Sequence, residues 1–219
     1  MLLVHGWGGH AGRLGRFVAP LVDAGFTACA FDAPGHGGSG GLTGTVPEMA
    51  EAVRIVLDRF GPCRGLIAHS LGAGAAAIAL RGGLRVERAV FLAPPADLAA
   101  YAARFARHFG LSERMRDAMM AHLCDRYGFC WSRMRTDEAG RDSTTPLLVI
   151  HDAGDVRVPL ADGVAVARAW PIARIVTTRG LGHHRILKDP KVIRTAVQFL
   201  APSRRKVEMH PLRAGAAAV

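Results

Sequence analysis

Short apolar runs alternate along the chain with longer stretches in which apolar residues recur every three or four positions. The short runs, which indicate buried strands, are 1–4, 26–31, 64–69, 86–93, 147–150 and 173–177. The periodic stretches, which indicate helices, are 13–24, 49–60, 71–80, 97–109, 112–127, 161–170 and 191–200. Such alternation is typical of parallel βαβ units. We therefore predict an α/β fold, a doubly wound and mainly parallel sheet of about six strands with helices on both faces.

The alternation is interrupted once, between the predicted strands 86–93 and 147–150. Two predicted helices follow each other there with no strand between them. We interpret residues 96–145 as a small helical cap within a single domain that spans residues 1–201. Residues 202–219 are basic and rich in alanine and glycine without periodicity, which predicts a mobile tail.

Composition and charge limit the class of protein. Half of the 219 residues are hydrophobic, which is enough for one well-buried domain. No apolar run could span a bilayer, and the amino end is not a signal peptide. The net charge of +10 comes from basic residues spread along the chain, so we expect a solvated surface and no nucleic-acid partner. Stable membrane association is not expected either.

The four cysteines show neither metal-ligand spacing nor a C-x-x-C pair. We interpret them as reduced thiols in a cytoplasmic protein, although Cys124 and Cys130 could pair if the chain were exported. No metal site is predicted from them.

Ser70 lies where a predicted strand meets a predicted helix, with the small residues Ala68 and Gly72 two positions to either side. This pattern is typical of a nucleophile elbow, a strained turn that lifts a serine hydroxyl above the sheet. Ala68 replaces the usual first glycine of G-x-S-x-G. A serine that merely caps the helix is the alternative interpretation.

Two glycine-containing loops follow predicted strands and could meet Ser70. In His5-Gly6-Trp7-Gly8-Gly9 the backbone can turn so that the N–H of Trp7, together with that of Leu71, forms an oxyanion hole. In Gly180-Leu181-Gly182-His183-His184 we predict that His183, nearer the glycines, is the general base and that His184 is a neighbour.

Two acids compete for the task of orienting that histidine. Asp152 directly follows a predicted strand, and Asp155 lies further into the loop before Val158-Pro159. We favour Asp155, because functional acids are usually displayed on loops.

These motifs together resemble the α/β-hydrolase superfamily over nearly the whole chain, from residue 2 to residue 200. The residues that carry the resemblance are His5 to Gly9, Asp32 to Ser39, the Ser70 elbow, Asp155 with Val158-Pro159, and Gly182-His183. The order Ser70, Asp155, His183 is the triad order of that architecture. The resemblance implies a serine hydrolase that acts on small-molecule esters without a cofactor or metal. A thioesterase, an acyltransferase and a catalytically slow binding protein share every motif and stay open.

The proposed cap contains apolar residues at helical spacing. Most of them are expected to face the core, and any that line the pocket would favour a short to medium, uncharged acyl chain. The residues are Leu98, Tyr101, Phe105, Phe109, Met115, Met119 and Leu123. Arg157, Arg179 and Arg185 flank the acid and base loops. An anionic substrate group is therefore conceivable, although exposed arginines are the simpler interpretation.

Most superfamily members have strands before the one that precedes the His-Gly loop, and we expect this chain to lack them, either as a minimal hydrolase or because the start of the gene is placed late. Residues 26–31 should then form an edge strand without a charge or a proline to protect it. Two outcomes stay open: a short covered edge, or a homodimer that pairs through this open sheet edge.

Overall fold

A computed structural model describes residues 1–201, and the predicted tail 202–219 lies outside the described residues. One sheet of six parallel strands forms its centre, in the order β2-β1-β3-β4-β5-β6. The strands are β1 (Leu2–Val4), β2 (Cys29–Ala30), β3 (Gly65–His69), β4 (Arg88–Leu92), β5 (Leu147–Asp152) and β6 (Ala173–Thr178). The predicted α/β class and strand number are confirmed.

Helices connect the strands and cover the sheet. They are α1 (Val18–Asp23), α2 (Val46–Phe60), α3 (Leu71–Arg81), α4 (Leu98–His108), α5 (Glu113–Tyr127), α6 (Thr136–Ala139), α7 (Leu160–Ala169), α8 (Gly182–Arg185) and α9 (Pro190–Leu200), with 3₁₀ turns at Ala11–Phe17 and Trp131–Arg133. Within residues 1–201, none of these helices has the length and apolar character needed to cross a membrane.

The two faces of the sheet carry separate parts of the core, because successive strand residues point to opposite sides. In β3, Leu66 and Ala68 pack with α2, α3 and α7, whereas Ile67 packs on the opposite side with α9 and the turn before α1. Helices therefore cover both faces of the sheet, as predicted.

Two predicted elements differ from the sequence-based expectation. The predicted helix 13–24 is a 3₁₀ turn followed by the short α1. Pro20 lies in the first turn of α1, where its missing N–H costs no helical hydrogen bond, so the α-helix begins just before it. The predicted strand 26–31 is reduced to β2, because it pairs only with the short strand β1. β2 does lie at one edge of the sheet.

The segment between β4 and β5 is helical; an ion pair ties it to α7, and a second ion pair lies within the segment itself. Arg104 of α4 contacts Asp162 of α7 at 2.8 Å, and Arg135 contacts Asp97 at 2.9 Å. Asp97 also caps α4 by accepting a hydrogen bond from the backbone N–H of Ala100. The contact between Arg104 and Asp162 holds the helical segment over the carboxyl ends of the strands, where ligands bind in open α/β sheets.

Candidate active site

Ser70 forms the turn between β3 and α3 in a strained backbone conformation. Its φ is 53° and its ψ is −128°, a region that costs a residue with a side chain on the order of 1–3 kcal/mol. Gly72 is required beside it, since a Cβ at that position would collide with the carbonyl of His5. Although Ser70 is the N-cap residue of α3, its side chain makes no capping hydrogen bond. The helix-capping alternative is therefore wrong, and the hydroxyl is available for other contacts.

The hydroxyl of Ser70 belongs to a chain of buried hydrogen bonds. Its Oγ lies 3.0 Å from Nε2 of His183, and Nδ1 of His183 lies 2.7 Å from Oδ2 of Asp155. A carboxylate can only accept, so Nδ1 carries the proton and Nε2 is free to accept from the serine hydroxyl. The exposed fractions of Ser70, Asp155 and His183 are 4, 6 and 8%. The fold thus brings together three side chains that are far apart in the sequence.

Asp155 is held in its ionised form by its hydrogen bonds. Burial alone would raise the pKa of Asp155, but the hydrogen bond to His183 and the backbone N–H groups of Val158 and Arg157 outweigh burial and lower it. The two backbone bonds, at 3.0 and 2.9 Å, are both to Oδ1. Oδ2 is left to the imidazole. A negative charge beside Nδ1 is therefore permanent at neutral pH.

Asp152, the competing acid, lies elsewhere in the same network. Its Oδ2 accepts the hydroxyl of Thr178 at 2.8 Å and the backbone N–H of Leu181 at 3.0 Å. Burial opposes the charge, yet the N–H groups of Gly182 and Leu181 lower the pKa of Asp152 to about 2. Asp152 thus anchors the loop that leads to His183.

The two adjacent histidines occupy different environments. His183 is buried in the short helix α8, whereas His184 is exposed and its ring centroid lies 5.1 Å from that of His183. Partial burial, followed by the nearby charge of His183, lowers the pKa of His184. Of the two imidazoles, His183 is the one hydrogen-bonded to Ser70.

The loop after β1 is folded tightly against the elbow. A Cβ added to Gly6 would lie 3.0 Å from the Cβ of Ser70, so a glycine at this position lets the loop approach the elbow without crowding it. The buried imidazole of His5 fixes this loop: its Nε2 accepts the N–H of Ala33 at 2.9 Å, and its Nδ1–H donates to the carbonyl of Gly6 at 2.8 Å.

Trp7 and Leu71, whose backbone N–H groups are the two predicted oxyanion donors, directly follow the residues that make this close contact. Trp7 directly follows Gly6, and Leu71 is the first residue of α3. Its N–H is one of those that have no carbonyl partner inside a helix. The Trp7 side chain is half exposed and meets the ring of Phe105 edge-on at 5.3 Å.

Two buried histidines beside this network were not singled out from the sequence. Nε2 of His69 lies 3.0 Å from the carbonyl oxygen of His183, and Nε2 of His151 lies 2.9 Å from that of Val158. The available signal was position, because each histidine lies at the carboxyl end of a strand, where such sheets assemble their sites.

A cavity of about 490 Å³ opens beside the elbow, between the helical segment after β4 and the loop before α2. Its lining includes Trp7, Leu71, Leu98, Tyr101, Phe105, Met119, Leu123, Tyr127, Phe129, Trp131 and Met134. The expectation that the apolar cap residues mostly face the core is therefore wrong. Five of the seven line this cavity, and Phe109 and Met115 are 63 and 56% exposed.

Within residues 1–201 the lining of this cavity contains no Asp, Glu, Lys or Arg. Arg157 and Arg179 are exposed, and Arg185 donates to the carbonyls of Gly180 and Leu181. The cavity thus suits an uncharged group. In the part of the chain that the structure describes, no set of three or more His, Cys, Asp or Glu side chains is placed to hold a metal ion.

Comparison with solved structures gives the same fold at low identity. A monoacylglycerol lipase of Paleococcus ferrophilus is 24% identical with a TM-score of 0.71, covering 91% of this chain and 93% of that one. The mouse alpha/beta hydrolase domain-containing protein 10 is 18% identical with a TM-score of 0.70, covering 91 and 86%. An esterase of a Rhodococcus species is 21% identical with a TM-score of 0.66, covering 91 and 89%.

Comparison with curated protein sequences gives no match. Two family profiles do match the sequence. One, described as TAP-like protein, covers residues 112–207. The other, described as serine aminopeptidase S33, covers residues 1–137, more than half of the chain. The resemblance to the α/β-hydrolases is thereby confirmed, and the chain belongs to the serine aminopeptidase S33 family of the α/β-hydrolase superfamily.

Proposed function

We propose that the protein hydrolyses carboxylic esters with an uncharged, short to medium acyl group, through an acyl-enzyme on Ser70. One observation carries this proposal: the hydroxyl of Ser70 is hydrogen-bonded to His183, which is hydrogen-bonded to the ionised Asp155, beside an uncharged cavity. A serine activated by an adjacent base that a third group orients is the arrangement expected of a nucleophilic catalyst.

The reaction begins when Nε2 of His183 takes the proton of Ser70 and the serine Oγ attacks the ester carbonyl carbon. The carbonyl π electrons move to oxygen, and the backbone N–H groups of Trp7 and Leu71 stabilise the oxyanion. Each such donor can be worth on the order of 3 kcal/mol. The tetrahedral intermediate expels the alcohol, which takes the proton from His183. Water then repeats both steps on the acyl-enzyme and releases the acid.

Asp155 has an electrostatic and a geometric task in this scheme. Because its pKa is low despite burial, it stays charged while His183 becomes an imidazolium. The short bond of 2.7 Å also keeps Nδ1 protonated, so that Nε2 always faces Ser70. Asp155 itself accepts no proton during the reaction.

The cavity supports an ester rather than an N-terminal peptide as substrate, although the family is named after an aminopeptidase. An aminopeptidase substrate carries an ammonium group, and burying that cation requires a paired carboxylate. The described lining of the cavity offers no carboxylate. Two proteins of similar structure, a monoacylglycerol lipase and an esterase, also agree with ester chemistry.

A substrate panel with the wild type and Ser70→Ala tests the proposal. The panel contains p-nitrophenyl acetate, butyrate and octanoate, an acyl-CoA, and an amino-acid p-nitroanilide. We expect turnover of the esters by the wild type and none above background by a folded Ser70→Ala. Preference for the acyl-CoA would instead indicate a thioesterase. Retained turnover in the variant would refute Ser70 as the nucleophile. Failure of a fluorophosphonate to label the wild type would indicate a binding protein.

A further inference from the structure

His69 is a buried histidine for which the scheme above has no task. It is the last residue of β3, directly before Ser70, and the residue is 5% exposed. Its Nε2 lies 3.0 Å from the backbone carbonyl oxygen of His183. A carbonyl only accepts, so Nε2 carries the proton and donates it. His69 therefore links the nucleophile's strand to the main chain of the proposed base.

His183 depends on tertiary contacts for its position, since it is 113 residues from Ser70 in the sequence. Asp155 orients its ring through Nδ1, and Asp152 holds the preceding loop through the N–H of Leu181. The bond from His69 is the one among these three that acts on the main chain of His183 itself. It is also the one that comes from the strand carrying Ser70.

The charge state of His69 suits such a task. Burial first, and the nearby charge of His183 second, keep the pKa of His69 well below its usual value of 6.5. The ring centroids of the two imidazoles are only 4.7 Å apart. A neutral His69 can support His183 without opposing the positive charge that His183 gains during catalysis.

We propose that His69 is a positioning residue, whose Nε2–H sets the distance between the imidazole of His183 and the hydroxyl of Ser70. This proposal rests on the proposed function for its kinetic consequence. Displacing a catalytic group by about 1 Å can cost about 100-fold in rate. The predicted loss therefore falls on kcat, while substrate binding in the cavity is largely kept.

Three substitutions separate this role from a merely structural one. His69→Phe keeps the ring but removes the donor, and His69→Asn keeps a donor that is too short to reach the carbonyl. His69→Gln carries an amide nitrogen at about the position of Nε2. We expect kcat to fall about 10- to 100-fold in the first two, with KM changed less than about threefold, and to recover to within about fivefold of the wild type in His69→Gln.

Trp170→Phe is the matched control, since it also removes a buried side-chain donor from a loop carbonyl. The indole N–H of Trp170 donates to the carbonyl of Thr145 at 2.9 Å. Trp170 follows the carboxyl end of α7, whereas the loop of Asp155 precedes the amino end of that helix. We expect this variant to lose stability and to keep its kcat.

A second readout keeps the test independent of turnover. The Nδ1–H of His183, bonded to Asp155, should give a downfield proton NMR resonance in the free protein. We expect it to shift or broaden in His69→Phe and His69→Asn, and to be kept in His69→Gln and Trp170→Phe. An ester-inactive wild type would refute the proposed function, and the NMR comparison would still decide the task of His69. The proposal would be overturned if His69→Asn had the same resonance and the same kcat as Trp170→Phe. It would also be overturned if kcat fell as far in His69→Gln as in His69→Asn.

Discussion

At the scale of single residues, two carboxylates three positions apart have different surroundings. Asp155 presents Oδ2 to His183, while Asp152 accepts bonds from Thr178 and Leu181 and anchors the loop. Both have a lowered pKa, so the charge does not distinguish them. Geometry does, because one acid faces the imidazole and the other faces the loop.

Asp155→Asn should lower kcat by several orders of magnitude, because an amide at this position favours the wrong tautomer of His183; in serine proteases the same change costs about 10⁴-fold. Asp152→Asn should chiefly lower stability, by about 2 kcal/mol for the weakened buried hydrogen bonds. Steady-state ester kinetics and thermal unfolding of both variants measure the two effects. A mild effect of Asp155→Asn beside an activity collapse in Asp152→Asn would reverse the assignment.

The anchoring role of Asp152 also predicts that the stability of the protein depends on pH. The pKa of Asp152 falls from 3.8 to about 2 on folding, so its stabilising contribution is complete above about pH 4 and is lost as the pH falls toward 2. The gap in melting temperature between the wild type and Asp152→Asn should therefore narrow across that range. Asp23→Asn, at an exposed site on α1, is the control. A gap independent of pH would contradict the anchoring role.

Most proposed site residues could be inferred from the sequence because glycine loops after strands mark them. Gly72 is needed where the backbone of α3 meets the carbonyl of His5, and that need is visible as glycine in the sequence. The positions of His69 and His151 at strand ends could be inferred, but their hydrogen-bond partners could not. Their significance lies in hydrogen bonds to loops that are distant or irregular, and nothing local in the sequence shows which carbonyl each imidazole meets.

At the scale of elements, α5 shows why helical spacing alone misjudged the cap. Met119 and Leu123 line the cavity, whereas Met115 on the same helix is 56% exposed. Apolar residues recur with the same period whether they face a packed core or a cavity. The periodicity therefore predicts that these segments are helices, but it cannot show whether their apolar residues face a packed core or a cavity.

A larger side chain at Met119 should shorten the acyl group that the protein accepts. Met119→Trp adds volume inside the cavity of about 490 Å³, so we expect kcat/KM for the octanoate to fall about 10-fold or more relative to the acetate. Met115→Trp adds the same volume on the solvent side of α5 and serves as the control. Equal chain-length profiles in the two variants would place the acyl group outside this cavity.

The two edge strands of the sheet differ in their capacity to pair with another chain. β2 has only two residues, which pair with β1 on their inner side. β6 has six residues, and no strand within residues 1–201 pairs with its outer side. Its residues Ile175 and Val176 have exposed fractions of 38% and 37%. The longer edge leaves more backbone N–H and C=O groups unpaired and is therefore the greater hazard, although Arg174 adds a charge to it.

We therefore predict that self-association of the chain occurs through β6 and not through β2, the edge for which the sequence left a covered strand and a homodimer open. Light scattering over two decades of concentration measures it for the wild type, Val176→Lys and Thr27→Lys. The apparent molecular mass of the wild type should rise with concentration. Val176→Lys should abolish this rise, and Thr27→Lys should leave it unchanged. The opposite pattern would favour β2, and a monomer throughout would refute edge pairing.

At the scale of the whole molecule, the fold brings three distant segments to one end of a parallel sheet. Ser70 follows β3, Asp155 follows β5, and His183 follows β6. The alternation of strands and helices predicts that these loops share one side of the sheet, because a doubly wound sheet places the carboxyl ends of its parallel strands there. The triad order itself is implied by the resemblance to the α/β-hydrolases. Loop conformations, and the cavity above them, needed the structure because they depend on packing between remote segments.

Rapid-quench mass spectrometry with p-nitrophenyl butyrate tests the central claim, the acyl-enzyme on Ser70, most directly. We predict that the quenched wild type carries one added butyryl group and that peptide mapping locates it on Ser70. The folded Ser70→Ala variant should carry none. Turnover of the ester without an acylated species, or a butyryl group on any other residue, would contradict it.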